Sequence, residues 1–344
     1  MTARLLIIII ALSMAWPAHA RTSHSVDSLL AVLDATIDAT PAIEGAMRKE
    51  LNHHRNAFDK AETIDEKFHE GYWLFFKYRR FRIDSAMYYA NERLKMAAKL
   101  HPDSMIAARI NKADATKRLG RYSDAINILD SLPRNNYVRN NPYFYDVYHS
   151  TLNSLTTNAI NDDELARYSE LRRAYRDSLQ VVNYDEANVK YINQAEKFKN
   201  KGNYAEALKV LLECEQKCHD EVQHSAVFWA VLGETYRRLD DNEGAKYGYA
   251  MAAIIDKRNC NKTYTSLQIL AALLFDEGDT ERAYRYITLS MIDVKEARAL
   301  SRLSLVGEYL PIITTAYEKK QHTIATRRTT FTVVATILVV LLVT

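Results

Sequence analysis

The stretch FWAVLGETYRRLDDNEGAKYGYAMA, from Phe228 to Ala252, decides the fold. Trp229, Leu232, Gly233 and Tyr236 fall at relative positions 0, 3, 4 and 7, one face of an α-helix. The polar run LDDNEG follows and supplies a turn and the N-cap of a second helix. Ala245 then stands on that second helix. Gly233 and Ala245 are small, so the two helices can approach closely. One such hairpin cannot bury its own apolar face, so it requires neighbours of the same kind.

Those neighbours are present. Gly120, Tyr122 and Ala125 lie in LGRYSDAINIL, Gly202, Tyr204 and Ala207 in KGNYAEALKVLL, and Gly278 and Ala283 in DEGDTERAYRYI. In each, the alanine stands fifth after the turn glycine; before Ala245, Asp240 takes the glycine's place. Two weaker units complete a series at a nearly constant interval: Ala86, Ala125, Ala166, Ala207, Ala245 and Ala283. Tyr191, Gln194, Ala195 and Phe198 fill the first-helix places before Ala207, and Leu267, Leu270, Ala271 and Leu274 fill them before Ala283. Arg109 and Thr116 depart from the pattern before Ala125.

The pattern resembles the tetratricopeptide repeat (TPR), whose signature includes W-x2-L-G-x2-Y followed by a small residue on the second helix. The resemblance is most specific from Ala207 to Ala283. The interval is longer than the roughly 34 residues of ordinary TPRs, which implies longer helices or loops. The fold expected is all-α: a TPR-like right-handed α-solenoid of about six helical hairpins over residues 63–293. Helical caps are expected at 21–62 and 294–328, the latter kinked at Pro311. The resemblance implies a protein or peptide partner in a concave groove, by fold-level analogy.

Composition agrees with helices. The 344 residues include only 9 Gly and 6 Pro, too few for the many turns of a β-rich fold. The 22 tyrosines supply large amphipathic side chains for helix interfaces. A net charge of +3 is near neutral and predicts no general affinity for nucleic acid or acidic surfaces.

Both ends are apolar. MTARLLIIIIALSMAWPAHA carries a basic start, an apolar run and an A-x-A site, so residues 1–20 read as a secretory signal peptide. Residues 329–344 read as a transmembrane helix. A span needs about 20 residues, so the run is a span cut short, a short C-terminal anchor or a buried terminal helix of the solenoid; its all-round apolar character favours the span. Arg327 and Arg328 precede it.

Chemistry is sparse. No nucleophile elbow, P-loop, H-E-x-x-H or paired-carboxylate motif appears, so the chain reads as a non-enzyme without cofactor or metal. Cys214 and Cys218 lie one helical turn apart and read as core residues; a metal site with His219 or His224 is the alternative. In YWLFFKYRRFR, Tyr72, Trp73, Phe76 and Phe81 are expected to pack while Lys77, Arg79, Arg80 and Arg82 face solvent; a patch for an anionic ligand is the minority reading. Five Asp-Ser-apolar triplets, such as Asp84-Ser85-Ala86, resemble an O-glycosylation sequon of exported Bacteroidota proteins, but helix capping is the favoured reading, because several sit where helices should begin or end.

Signal peptide, repeat array and terminal span together resemble Bacteroidota membrane proteins in which an exported TPR sensor precedes one span and a cytoplasmic regulatory part. LLAVLDATIDATPAIEGAMRKEL and FRIDSAMYYANERLKMA carry the resemblance. It implies a periplasmic binding module anchored in the inner membrane, with no nucleic acid touching the exported part. An exported scaffold for envelope assembly or polymer uptake is the alternative.

Overall fold

The computed structural model describes residues 23–181, 187–299 and 302–343. The signal peptide assigned to residues 1–20 lies outside them. The described residues form seventeen α-helices and no strand. In chain order these are α1 (Ser23–Asp38), α2 (Thr40–Lys60), α3 (Ile64–Phe81), α4 (Ile83–Ala97), α5 (Pro102–Arg118), α6 (Tyr122–Asp130), α7 (Asn136–Arg139), α8 (Pro142–Thr157) and α9 (Asp162–Val181). Then come α10 (Ala187–Lys199), α11 (Tyr204–Lys217), α12 (His219–Val222), α13 (Ala226–Arg237), α14 (Asn242–Arg258), α15 (Ser266–Asp276), α16 (Thr280–Ala297) and α17 (Leu303–Val343). Successive helices pair as hairpins: α3 with α4, α5 with α6, α8 with α9, α10 with α11, α13 with α14 and α15 with α16. The fold is an all-α solenoid.

Four hairpins close in the same way. Gly120, Gly202 and Gly278 take φ of +82°, +78° and +89°, and Asp240 takes +58° at the equivalent place. A left-handed residue lets the chain reverse just past the helix end, and the next residue's N–H returns to a free carbonyl. Those returns are Arg121 to Thr116 (3.2 Å), Asn203 to Phe198 (3.0 Å), Asp241 to Tyr236 (3.0 Å) and Asp279 to Leu274 (2.9 Å). Asp241 and Asp279 then cap the second helix, accepting from the N–H groups of Gly244 (2.8 Å) and Arg282 (3.1 Å). Fifth after each left-handed residue, Ala125, Ala207, Ala245 and Ala283 are fully buried.

α13 and α14 approach closely. A Cβ on Gly248 would meet the Cα and N of Gly233 at 2.6 Å. Trp229, Leu232 and Tyr236 are buried on the same side.

Two expectations fail in detail. Ala166 is exposed; α9 turns inward Tyr168, Leu171 and Tyr175 instead, with Tyr175 stacked on Tyr148 at 3.7 Å. An aromatic stripe buries more apolar area than an alanine and sets the face. The last helix does not start at Val294. Arg298 takes φ +56° and ends α16. The chain restarts at Leu303 and stays helical through Pro311 to Val343.

α1 docks far from its sequence neighbours. It packs on α14, and Val26, Leu29, Leu30, Leu33 and Ile37 join the core of α10–α16. Burying each leucine contributes about 1.5–3 kcal/mol. Asp34 fixes the register, accepting from Arg282 Nε, Arg285 and the Tyr286 hydroxyl at 3.0 Å each. Such half-exposed ion pairs contribute about 0–1 kcal/mol each, so the leucines hold α1 and Asp34 aligns it.

Replacing Gly248 with Ala forces two backbones apart and should cost about 1–3 kcal/mol or more. Gly202→Ala, strained only by its positive φ, should cost about 1–2 kcal/mol. Urea unfolding followed by far-UV circular dichroism ranks the two; a Gly248→Ala cost no larger than that of Gly202→Ala would contradict the close approach.

Candidate functional site at the junction of the array ends

The first and last hairpins of the array meet. The Lys262 N–H, in the loop between α14 and α15, donates to the Arg80 carbonyl at the end of α3 (2.7 Å). The Lys262 ammonium pairs with Glu44 of α2 (2.6 Å) and with Glu296 of α16. Ile83, at the start of α4, is buried with Val294, Ala297, Ala299 and Val306. Arg298 reaches Asp84 at 3.4 Å. The first turns of α17 are therefore rooted in this junction, with Leu303, Val306 and Leu310 in its apolar floor.

Buried carboxylates organise the cations here. Asp114 of α5 is ringed by Arg79 (3.2 Å), Lys117 (2.9 Å), Arg118 (3.0 Å) and the Tyr143 hydroxyl (2.8 Å). Burial alone would raise its pKa; Arg118, Lys117 and Arg79 outweigh that and hold it well below the usual range. Asp293 of α16 pairs with Lys257 and accepts from the Tyr264 hydroxyl. Burial and the Asp293 charge push the Tyr264 pKa well above its ordinary value.

The Arg80 and Arg302 side chains are exposed to water, yet protein surrounds them closely enough for burial to lower both pKa values. Arg118 repels each of them further, and Asp256 attracts each. Asp256, on α14, is buried, and its side chain accepts from Asn261 at 2.6 Å. Burial pushes its pKa up to about 7, against the opposing pull of Asn261, Arg80, Arg302 and Lys257. Asn261 in turn accepts from Thr263, whose hydroxyl meets Arg118 at 3.5 Å. The site is cationic at neutral pH, with one carboxyl on the edge of ionisation.

Two clefts open elsewhere. One of ≈ 750 Å³ runs between α1, α16 and α17, past Asp34, Arg285, Ile292 and Tyr317. Tyr317 stacks on Tyr284 there at 4.0 Å. The other, ≈ 500 Å³, lies across α4, α5 and α6, past Asn91, Lys112 and Asp124.

The repeat-signature residues serve packing and turns. Trp229, Leu232, Gly233, Tyr236, Ala245, Ala207, Ala125 and Ala283 are buried, Tyr204 and Tyr122 are half-buried, and Gly202 and Gly278 lie at exposed turns.

The basic-aromatic run divides differently from the sequence expectation. Arg79 is buried against Asp114 and lies under Phe76 at 4.1 Å, while Tyr72 and Phe76 are about two-fifths exposed. Arg93, unremarkable in sequence, is buried with the rings of Phe68 (3.9 Å) and Tyr72 (5.0 Å) and the oxygens of Phe68 and Asn111. Its pKa falls to about 10 through burial. Asp114 lies 35 residues from Arg79, which is why local pattern did not pair them.

Cys214, Cys218 and Cys260 are free and buried. Burial pushes the Cys214 thiol up to about 12. Among the described residues no group of three or more His, Cys, Asp or Glu could hold a metal ion.

Fold and junction together define a TPR-type helical scaffold, a class that binds partners on its surfaces. The SusR N-terminal TPR domain matches the chain over residues 37–307, and the chain belongs to that family. Among curated proteins, none matches it.

The raised pKa of Asp256 has a thermodynamic consequence. An unfolded Asp titrates near 3.8, so the folded state holds the extra proton between about pH 4 and pH 7. Stability should be greatest below that window, fall as pH rises through it and level off above about pH 7, at up to roughly 1.4 kcal/mol per unit. Asp256→Asn, which keeps an acceptor for Asn261, should flatten this slope. Urea midpoints from about pH 4.5 to pH 8 test it; equal slopes in the two proteins would show that Asp256 titrates normally.

Proposed function

We propose that the chain is the exported, ligand-sensing TPR part of a membrane-anchored signalling protein. The observation that carries this is the continuity of α17. Its first turns are buried in the repeat domain through Val306 and Ile313. The same helix runs on without a break into Phe331, Val333, Val334 and Ile337–Leu342, all exposed. A helix of 41 residues extends about 60 Å. The segment Val306–Leu342 contains a window apolar enough to cross a membrane, and none of that window is buried.

A row of exposed branched aliphatics this long is costly in water and favourable in lipid. Arg327 and Arg328 sit at its start, where their long side chains can reach the headgroups. The signal peptide would place the repeat array in the periplasm and the apolar run in the inner membrane. Binding of a protein or peptide, or of a smaller ligand, acts on the array; α17 carries the result to the bilayer. The reading is of a non-enzymatic module, because the packed polar clusters are ion pairs that hold helices together.

Membrane fractionation tests the anchor. The full chain, expressed with its leader, should sediment with membranes and resist high-salt extraction. A chain ending at Arg328 should be released in soluble form. Retention of the shortened chain in the membrane would rule out residues 329–344 as the anchor.

A further inference from the structure

We propose that the cleft between α1, α16 and α17 binds a small organic cation, an amine or amidine on an aromatic or apolar body. The cleft holds ≈ 750 Å³, a size usual for sites that take small molecules, about 300–1,000 Å³. Its walls carry what such a ligand needs: ring faces beside apolar side chains, and a carboxylate that the fold does not use.

The aromatic wall comes from two elements. Tyr284 of α16 and Tyr317 of α17 stack at 4.0 Å, with their ring planes 2° apart, and both line the cleft. Ile37, Leu289 and Ile292 line it as well, and Ile292 is exposed. A cation over a tyrosine face is drawn to the ring's electrons, and the attraction grows as water is excluded.

The charges decide the sign of the ligand. Arg282 pairs with Asp34 (3.0 Å) and Asp279 (3.2 Å). Arg285 pairs with Asp34 (3.0 Å) and Asp38. Both guanidinium groups are therefore taken and offer little to an anion. Glu281 stands one helical turn before Tyr284 and lines the same cleft. It is exposed, and its side chain has no hydrogen bond or ion pair among the described residues. Counting Asp38, four carboxylates stand against two guanidinium groups. The start of α16 returns about half a positive charge, so the cleft stays negative. A carboxylate or phosphate ligand would meet repulsion there, and a neutral one would leave Glu281 unused.

One more polar group is available. Thr36, Thr151 and Thr235 each donate their hydroxyl to the carbonyl four residues back in their helices. Thr288 lines the cleft, and its Oγ1 is buried without a partner. Turning about χ1 to accept from a ligand N–H therefore breaks no bond.

A ligand on the tyrosine stack would touch both α16 and α17. This deepens the sensor reading and rests on it only for what happens beyond α17; the binding stands by itself.

Isothermal titration calorimetry on the full chain in detergent micelles tests the site, with micelles alone as the blank. Benzamidine is the probe, and benzamide and benzoate are its neutral and anionic counterparts of nearly the same shape. Benzamidine should bind saturably, benzamide about tenfold or more weaker, and benzoate not at all. Glu281→Gln should weaken benzamidine by about threefold or more, leave benzamide unchanged and melt with the parent. Tyr317→Leu should weaken both by about threefold or more. Thr288→Val should weaken benzamidine without lowering the melting temperature, since no hydrogen bond is lost. The proposal is overturned if benzamidine does not saturate, or if benzamide or benzoate binds as tightly. Unchanged benzamidine affinity in Glu281→Gln or in Tyr317→Leu would also overturn it. Fractionation reads anchoring independently, so either idea can fail without the other.

Discussion

A chain reversal at a left-handed residue governs this molecule. Gly120, Gly202, Asp240 and Gly278 each let one helix end and the next begin almost at once. The N–H that follows closes onto a carbonyl near the end of the preceding helix. The turn fixes where the second helix starts, and the alanine fifth after it then faces its partner at short range. Where that face is lined by small residues, backbones meet, as those of Gly233 and Gly248 do. Hairpins of one shape stack only in one way, and the solenoid follows.

Stacking alone would leave the two ends of the array apart. Here they are joined. α1 lays its leucines on the later hairpins, and its Asp34 reaches Arg282 across 248 residues of chain. The loop after α14 bonds to the end of α3. Closure brings many charges into one enclosed region, and most are neutralised there by Asp114, Asp293, Glu44 and Glu296. The polar interior gives the closed form its register, since slipping any helix would strand a buried charge. It also buries Asp256, whose pKa is pushed up to about 7.

The repeat was legible because its causes are local. A left-handed turn asks for glycine, a close crossing asks for alanine, and one buried helix face asks for apolar residues at 0, 3, 4 and 7. Each of these demands is met inside a single hairpin. The weakest unit shows the limit: Ala166 keeps the period, but Tyr168, Leu171 and Tyr175 decide which side of α9 is buried. Gly248 was overlooked, although a glycine about one helical turn beyond Ala245 would have signalled a backbone crossing. The junction was barely legible. Arg79 and Arg80 sit in a run whose charges look solvated, and Asp114, Asp256 and Lys262 stand in no motif.

The sequence by itself determined the helical class, the hairpin period, the packing role of the small residues and the apolar stretch after Arg328. Each depends on residues close in the chain, where backbone geometry alone sets who meets whom. Tertiary structure alone decided that α1 docks on α14, that Arg79 is buried while Tyr72 and Phe76 are half exposed, and that α17 springs from the meeting point of the array ends. These depend on pairs such as Asp34 with Tyr286 or Lys262 with Glu44, whose partners stand near opposite ends of the array. Chain periodicity carries no record of such pairs, because each partner's local pattern is satisfied equally well by water.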